Sequence, residues 1–180
     1  MSPNPSELRI SELDRSAPER LVAYEKALYQ AFRKHPPGTF DTLWTFDPEL
    51  QRARILVPYA GQRIVVAEVG GELIGAVALN FDMGVTLQLE RYGFSVPKVQ
   101  GQTAEGLVLF SSRIMVALRF VLPALIEATE PLLRASGISL LWASCDKKHL
   151  LGYLQLGFRS IDKVQFNQQP EFLLQRSIVA

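Results

Sequence analysis

The stretch Gly106–Ala117, which reads GLVLFSSRIMVA, decides the fold together with the residues that follow it. It is largely apolar and bounded by polar residues, a pattern that predicts a buried strand. Apolar residues then recur at helical spacing over Phe120–Ser136, and Ile138–Cys145 (ISLLWASC) predicts a second buried strand. Asp146 is suited to cap a short helix over Lys147–Leu156. A strand–helix–strand unit of this length predicts two parallel strands joined by a right-handed crossover.

The carboxyl ends of these two strands form the predicted binding site. We expect the strands to separate after Val116 and Cys145, because parallel strands that splay apart leave a crevice at their carboxyl ends. Ligands of open α/β sheets bind in such a crevice. The sequence therefore predicts a ligand between the two strands, beyond their last paired residues.

The flanking segments complete a mixed sheet. The remaining predicted elements are a strand over Leu8–Leu13, helices over Ala17–Lys34 and Pro48–Leu56, a hairpin of Arg63–Val69 and Glu72–Asn80 around Gly70-Gly71, and closing strands over Arg159–Phe166 and Phe172–Val179. The segment Val85–Leu89 alternates and is predicted as a strand or a lid. The order is then β-α-α-β-β-β-α-β-α-β-β. This is an α/β (α+β) arrangement with helices on both faces of the sheet.

Composition excludes several classes of function. The 180 residues are expected to form one domain over residues 1–180, with residues 1–7 disordered. A formal net charge of +1 without a basic cluster gives no reason to expect nucleic-acid binding. One cysteine and two histidines cannot build a structural zinc site of the usual kind, so no metal is expected. The polar N-terminus and the lack of an apolar run of about 20 residues predict neither a signal peptide nor a membrane span. These features are typical of a cytoplasmic protein.

Three short segments resemble the GCN5-related N-acetyltransferase (GNAT) superfamily. Val65–Val77 (VVAEVGGELIGAV) looks like the second and third strands of that family, and Arg113–Val116 looks like the end of its fourth strand. Gly152–Phe158 (GYLQLGF) is similar to its late Y-x-x-L-G-F element and is the most specific of the three. The resemblance implies an acyltransferase. Such an enzyme moves an acyl group from a thioester, acetyl-CoA or another acyl-CoA, to a primary amine by direct attack.

The segment after Val116 departs from the family pattern. Family members have an R/Q-x-x-G-x-G/A loop there, whose backbone N–H groups hold the coenzyme A pyrophosphate. Ala117–Pro123 (ALRFVLP) has no glycine, and Arg119 is the remaining candidate partner for a phosphate. Either the protein no longer binds coenzyme A tightly, or its donor is the acyl-phosphopantetheine arm of acyl carrier protein. Ser144–Tyr153 (SCDKKHLLGY) resembles the C-x-x-H-L-x-x-x-Y region of long-chain N-acyl amino acid synthases, which use acyl carrier protein.

Two side chains are predicted to take part in catalysis. In the resembled family a tyrosine protonates the leaving thiolate, and Tyr153 occupies the matching position; a tyrosine packed in the core is the alternative. Glu105 is the predicted general base, with Asp82 and Glu90 as alternatives. A backbone N–H in a bulge of the fourth strand polarises the thioester carbonyl in the family, and here we expect it near Ile114–Val116.

The predicted donor contacts lie at the end of the fourth strand, at the start of the next helix and after the following strand. They are Ile114, Met115, Val116, Arg119, Phe120, Val121, Ser144 and His149. Phe40, Trp44 and Phe46 form either a wall of the acceptor pocket or a hydrophobic cluster under a loop.

These observations favour two hypotheses of different classes. The first is an acyltransferase with a small-molecule amine as acceptor and acyl-CoA or acyl carrier protein as donor. The second is a catalytically silent GNAT-fold binding module for a small metabolite or a protein partner. The missing glycine loop favours the second, and the segment around Tyr153 favours the first. The sequence leaves the acyl chain length and the oligomeric state open, a homodimer included.

Overall fold

A computed structural model of the protein describes residues 8–35, 38–111 and 118–178, with residues 118–120 described by their backbone alone. The strands are β1 (Arg9–Glu12), β2 (Trp44–Asp47), β3 (Arg52–Ile55), β4 (Gln62–Val69), β5 (Glu72–Asn80), β6 (Thr103–Ser111), β7 (Leu140–Asp146), β8 (Arg159–Phe166) and β9 (Gln169–Ser177). The helices are α1 (Pro18–Phe32), α2 (Gln88–Tyr92), α3 (Leu118–Ala135) and α4 (Leu150–Gln155). Within these described ranges, no helix is both long enough and apolar enough to cross a membrane.

Seven strands form one mixed sheet in the order β1-β4-β5-β6-β7-β9-β8. Strands β6 and β7 are parallel, and the other neighbours in this sheet are antiparallel. The predicted β6–α3–β7 crossover is confirmed, and so is the β4–β5 hairpin, where Gly70 and Gly71 adopt the positive φ angles that its turn requires. The sheet confirms the predicted fold class.

Helices cover both faces of this sheet, as predicted. Helices α3 and α4 lie on one face, where Leu133 of α3 packs into the largest core cluster. Helix α1 and the β2–β3 hairpin lie on the other face and pack through Leu28 and Ile55. Helix α2 lies on the same face as α1, and its Leu89 packs in one cluster with Trp142 of β7. We call these two surfaces the α3 face and the α1 face.

The predicted helix over Pro48–Leu56 is wrong, because this segment turns back and forms a strand. Strand β3 pairs antiparallel with β2 in a separate two-stranded sheet. Burial alternates along β3, with Ala53 and Ile55 buried between more exposed neighbours, and this is the period of a strand. The Asp47 carboxylate accepts a hydrogen bond from the N–H of Leu50 at 2.8 Å, which stabilises the turn.

The segment Val85–Leu89, predicted as a strand or a lid, does not form a strand in the structure. Its last residues form the first turn of α2, and Gly93 ends that helix in the left-handed conformation. The Glu90 side chain accepts a hydrogen bond from the N–H of Leu87 at 2.8 Å. The observed order is therefore β-α-β-β-β-β-α-β-α-β-α-β-β.

A buried carboxylate joins the β2–β3 hairpin to α1. Glu25 is 2% exposed and accepts hydrogen bonds from Arg52 Nε at 2.6 Å, from Arg54 Nε at 3.0 Å and from the Tyr59 hydroxyl at 2.8 Å. These contacts hold the hairpin, and the aromatic side chains that it carries, against α1 and the sheet.

Replacing Glu25 by alanine should lower the free energy of unfolding by about 2 kcal/mol. Removing one member of a buried ion pair leaves its partners uncompensated, but both arginines are partly solvated and this reduces the cost. Urea denaturation at neutral pH measures the change. Glu19→Ala, at an exposed position of the same helix, should stay within about 0.5 kcal/mol of the parent. Equal losses in the two variants would contradict a stabilising role for the Glu25 contacts.

Candidate active site

Strands β6 and β7 separate well before their carboxyl ends. Their parallel pairing joins Thr103–Glu105 to Leu140–Trp142 and ends there. Both strands continue beyond this point, and β7 stays paired with β9 along its whole length. The crevice that the sequence predicts is therefore present. It opens after these paired residues, earlier than the expected separation at Val116 and Cys145.

A β-bulge at Leu107 lies just beyond the last paired residues of β6. The residues before and after Leu107 pair with Leu79 and Ala78, which are adjacent on β5, so Leu107 has no residue opposite it. An extra residue bends a strand and increases its local twist, which helps β6 to diverge from β7. The sequence places the family's bulge near Ile114–Val116, which lie outside the described residues; in the described part of β6 the bulge is at Leu107.

The bulge decides which main-chain groups of β6 face the crevice. Before the bulge, the carbonyl of Gln102 accepts a hydrogen bond from the N–H of Leu140 at 3.2 Å. The even-numbered residues in this part of β6 therefore direct their main-chain N–H and C=O groups toward β7. The extra residue reverses this alternation. Leu109 therefore directs its N–H and C=O toward the crevice, whereas Val108 and Phe110 direct theirs toward β5.

Glu105 lies at the closed end of the crevice, beneath α2. Its side chain is fully buried and accepts hydrogen bonds from the N–H of Leu89 at 2.7 Å and from Asn80 Nδ2 at 3.4 Å. Burial raises the pKa of Glu105 to about 7, and the two hydrogen bonds oppose that rise. A carboxyl group with this pKa can take up a proton near neutral pH, which suits the predicted base.

The two alternative bases are engaged elsewhere. Asp82 follows β5 at the end of the sheet opposite to the crevice, and its side chain accepts a hydrogen bond from the N–H of Gly84 at 2.9 Å. Glu90 accepts one from the N–H of Leu87 and pairs with Lys98 at 3.1 Å. These contacts lower the pKa of Glu90, which makes it a weaker base.

Tyr153 projects from α4 into the core of the α3 face, near the carboxyl end of β7. Its ring meets that of Phe158 edge to face, with 5.3 Å between the centroids. Burial raises the pKa of Tyr153 well above its usual value, and the charges of Cys145 and Glu171 add to the rise. The hydroxyl therefore stays protonated at neutral pH and is able to donate a proton.

Ser144 and His149, two of the predicted donor contacts, lie at the same end of β7. The Nδ1 atom of His149 is 2.7 Å from Oδ1 of Asp146, and both side chains are largely exposed. The side chain of Ser144 points to the α1 face, beside Tyr92. Between these polar residues, burial raises the pKa of Cys145 to about 12, so its thiol is not a nucleophile at neutral pH.

The structure adds a carboxyl group that sequence reasoning missed. Glu171 of β9 lies opposite Asp146 of β7, and burial raises its pKa to about 7. The neighbouring Ser144 side chain opposes this rise, and the charge of Asp146 adds to it. The sequence signal is slight, a glutamate at the start of the apolar run Glu171–Leu174. Its position beside the carboxyl end of β7 becomes visible only when β9 is known to lie between β7 and β8.

Phe40, Trp44 and Phe46 form a stack on the α1 face. Their centroids are 4.9 to 6.2 Å apart and their planes differ by 21° to 27°. Trp44 is buried and the other two are half-buried, which confirms a hydrophobic cluster. The ring of His35 lies 4.9 Å from that of Phe40; burial lowers the pKa of His35, and the charge of Asp146 opposes that lowering. The cluster thus extends toward the carboxyl end of β7, and its role as acceptor wall stays a prediction.

Other predicted donor contacts lie around the start of α3. Residues 114–116 fall outside the described residues, and Arg119 and Phe120 belong to the first turn of α3, whose side chains are not described. Val121 is 1% exposed and packs into the core of the α3 face beside Gly75. The side chain of Val121 is therefore not available to a donor.

Comparison with known proteins identifies the fold. No family model and no curated protein matches the sequence. The structure is similar to the AHL synthase LasI, with a TM-score of 0.72 and 14% identity over 96% of this chain and 90% of that one. It is similar to the CoA-dependent acyl-homoserine lactone synthase MesI, with a TM-score of 0.69 and 15% identity over 95% and 89% of the two chains. An aminoglycoside 6'-N-acetyltransferase from Enterococcus faecium has a TM-score of 0.67 and 12% identity over 96% and 98%. The chain has a GNAT-like fold.

Proposed function

We propose that this protein is an acyltransferase that moves an acyl group from a thioester to a primary amine by direct attack. The observation that carries the proposal is the early separation of β6 and β7 in a GNAT-like sheet. Two carboxyl groups with a pKa of about 7 lie nearby, Glu105 at the closed end of that crevice and Glu171 beside the carboxyl end of β7, where the protonated Tyr153 also lies. Acyl transfer to an amine needs an acid, a base and an oxyanion donor, and this crevice offers candidates for all three.

In the proposed reaction Glu105 removes a proton from the substrate ammonium through a bridging water, since α2 prevents direct contact. The amine nitrogen attacks the thioester carbonyl carbon, and the N–H of Leu109 stabilises the oxyanion. The attacking nitrogen then loses its second proton to solvent water. As the carbon–sulfur bond breaks, Tyr153 gives its proton to the leaving thiolate and regains one from solvent, and Glu105 releases to solvent the proton that it took up. Glu171 is the second candidate for the base, because it has a similar pKa and lies beside the carboxyl end of β7.

The donor is either an acyl-CoA or the acyl-phosphopantetheine arm of acyl carrier protein. The absence of glycine from Ala117–Pro123 supports the carrier protein, because residues with a Cβ atom hinder the close approach of a pyrophosphate. The similarity of the fold to an acyl-homoserine lactone synthase described as CoA-dependent supports coenzyme A. The acceptor is a small-molecule amine that enters from the α1 face, where Glu171 and the aromatic cluster lie.

Thermal stability should separate these donors. A ligand at a hundredfold its dissociation constant stabilises the folded protein by about 2.7 kcal/mol. We expect the unfolding temperature to rise with acyl-CoA or with acylated carrier protein, measured beside free coenzyme A and carrier protein without its arm. A response to acylated carrier protein alone would support long-chain acyl transfer. No response to any donor would contradict the proposed function and favour the silent binding module that the glycine-free segment suggests.

A further inference from the structure

Helix α2 is hydrogen-bonded to β6 on both sides of the point where the crevice opens. The N–H of Leu89 donates to the Glu105 side chain at 2.7 Å, and the Gln88 side chain donates to the carbonyl of Leu107 at 2.7 Å. Leu107 is the bulge residue, and Glu105 is the last residue of β6 that pairs with β7. Gln88 and Leu89, adjacent residues of α2, thus contact β6 just after and just before the point where the crevice opens.

The Gln88 amide has one possible orientation in this network. Its Oε1 atom accepts a hydrogen bond from Trp44 Nε1 at 2.8 Å, and its Nε2 atom donates to the Leu107 carbonyl. An indole N–H can only donate and a backbone carbonyl can only accept, so neither partner would tolerate a flipped amide. Gln88 is 5% exposed, and both hydrogen bonds are shielded from water.

A bulge residue lacks the ladder partner that its neighbours have, so its carbonyl needs another donor when it is buried. A buried carbonyl without a donor destabilises the bulge and favours a register that lacks it. A slip of one residue would reverse the alternation along β6. The main-chain groups of Leu109 would then face β5, and those of Val108 would face the crevice. The Gln88 hydrogen bond therefore stabilises the register that directs the Leu109 N–H into the crevice.

We propose that Gln88 is a positioning residue, which holds the bulge at Leu107 so that the N–H of Leu109 is aimed at the thioester carbonyl. This inference rests on the proposed acyl transfer for its functional part. Gln88 itself contacts no substrate and acts through the backbone of β6. Its effect should fall on the transition state, where the oxyanion develops, and much less on binding of the donor.

The experiment compares Gln88→Met with Gln62→Met. Gln62 at the start of β4 is also fully buried, and its Nε2 donates to a backbone carbonyl, that of Val57, at 2.6 Å. Both variants lose a buried amide–carbonyl hydrogen bond, and Gln88→Met also removes the acceptor of the Trp44 N–H, so it should lose more stability than Gln62→Met. We expect Gln88→Met to lower kcat by roughly 10- to 100-fold with the KM for the donor within about threefold. Gln62→Met should keep kcat within about twofold. Equal losses of kcat would overturn the positioning role.

A second measurement tests the anchoring of the bulge without any activity. Leucine labelled with ¹³C at the carbonyl, combined with ¹⁵N-valine, reports the three Leu–Val peptides of the chain, at 21–22, 56–57 and 107–108. In Gln88→Met the Leu107 carbonyl resonance should move while the 21–22 signal stays in place and reports an intact fold. An unmoved Leu107 resonance would overturn the inference. A parent protein that transfers no acyl group would refute the proposed function instead, and the labelled peptide would still decide whether Gln88 holds the bulge.

Discussion

Tyr153→Phe is expected to lower kcat by about 100- to 1000-fold and to leave the dissociation constant of the donor within about twofold. The substitution removes the proton that the leaving thiolate needs and keeps the aromatic ring, so the edge-to-face contact with Phe158 persists. Because burial raises the pKa of Tyr153, the parent hydroxyl stays protonated across the neutral range and its contribution should not titrate there. Steady-state kinetics with a thiol-detecting assay, together with calorimetric titration of the donor, measure both quantities.

Tyr24→Phe is the matched control for this substitution. Tyr24 is fully buried, whereas Tyr153 is half-buried, and among the described residues the Tyr24 hydroxyl has no hydrogen-bond partner. Removing that hydroxyl should leave kcat unchanged and should not lower stability. If Tyr153→Phe kept the parental kcat, the acid role would be excluded, and Tyr153 would be a core tyrosine like Tyr24.

The value of kcat/KM should rise about tenfold per pH unit below pH 7 and become independent of pH above it. A general base works in its ionised form, and burial raises the pKa of Glu105 to about 7. Glu105→Gln keeps an acceptor for the N–H of Leu89 and removes the base. We expect it to lower kcat/KM at pH 7.5 by about 100-fold and to abolish the inflection near pH 7.

Glu171→Gln separates the two carboxyl groups, since the pKa of Glu171 is also about 7. With Glu105 as the base, Glu171→Gln should raise the KM for the amine and keep the inflection. The opposite pattern, in which the inflection is lost in Glu171→Gln and kept in Glu105→Gln, would transfer the role of base to Glu171.

The stability of Glu105→Gln gives a separate test of the raised pKa. A folded pKa above the ordinary value of 4.5 means that ionisation of Glu105 destabilises the fold as pH rises through that interval, so the variant should be at least as stable as the parent at pH 8.

The elements that sequence reasoning predicted are those whose pattern is local. The crossover over β6, α3 and β7 is marked by two apolar runs around a helical repeat, and the β4–β5 hairpin by Gly70-Gly71 between β-branched runs. The β2–β3 hairpin was not predicted. Pro48 followed by Glu49 is a common beginning of a helix, while the alternation in β3 extends over only four residues.

The parts of the site that sequence reasoning missed depend on pairing between distant segments. The bulge at Leu107 is a property of the register between β5 and β6, and no residue type marks it. Gln88 lies in a segment without clear periodicity, and its two partners, Trp44 and Leu107, are far from it in sequence. Glu171 lies beside the carboxyl end of β7 because β9 is inserted between β7 and β8. Tyr153 could be predicted as a site residue because the motif around it is contiguous in sequence.

The walls of the crevice between β6 and β7 consist of main chain that has lost its pairing partner. Under the proposed function, the amide groups of a pantetheine-like arm would complete the interrupted ladder, as an added strand does. Every residue except proline supplies the same N–H and C=O groups. Amino-acid replacements along these strands can therefore accumulate over evolution with little loss of donor binding.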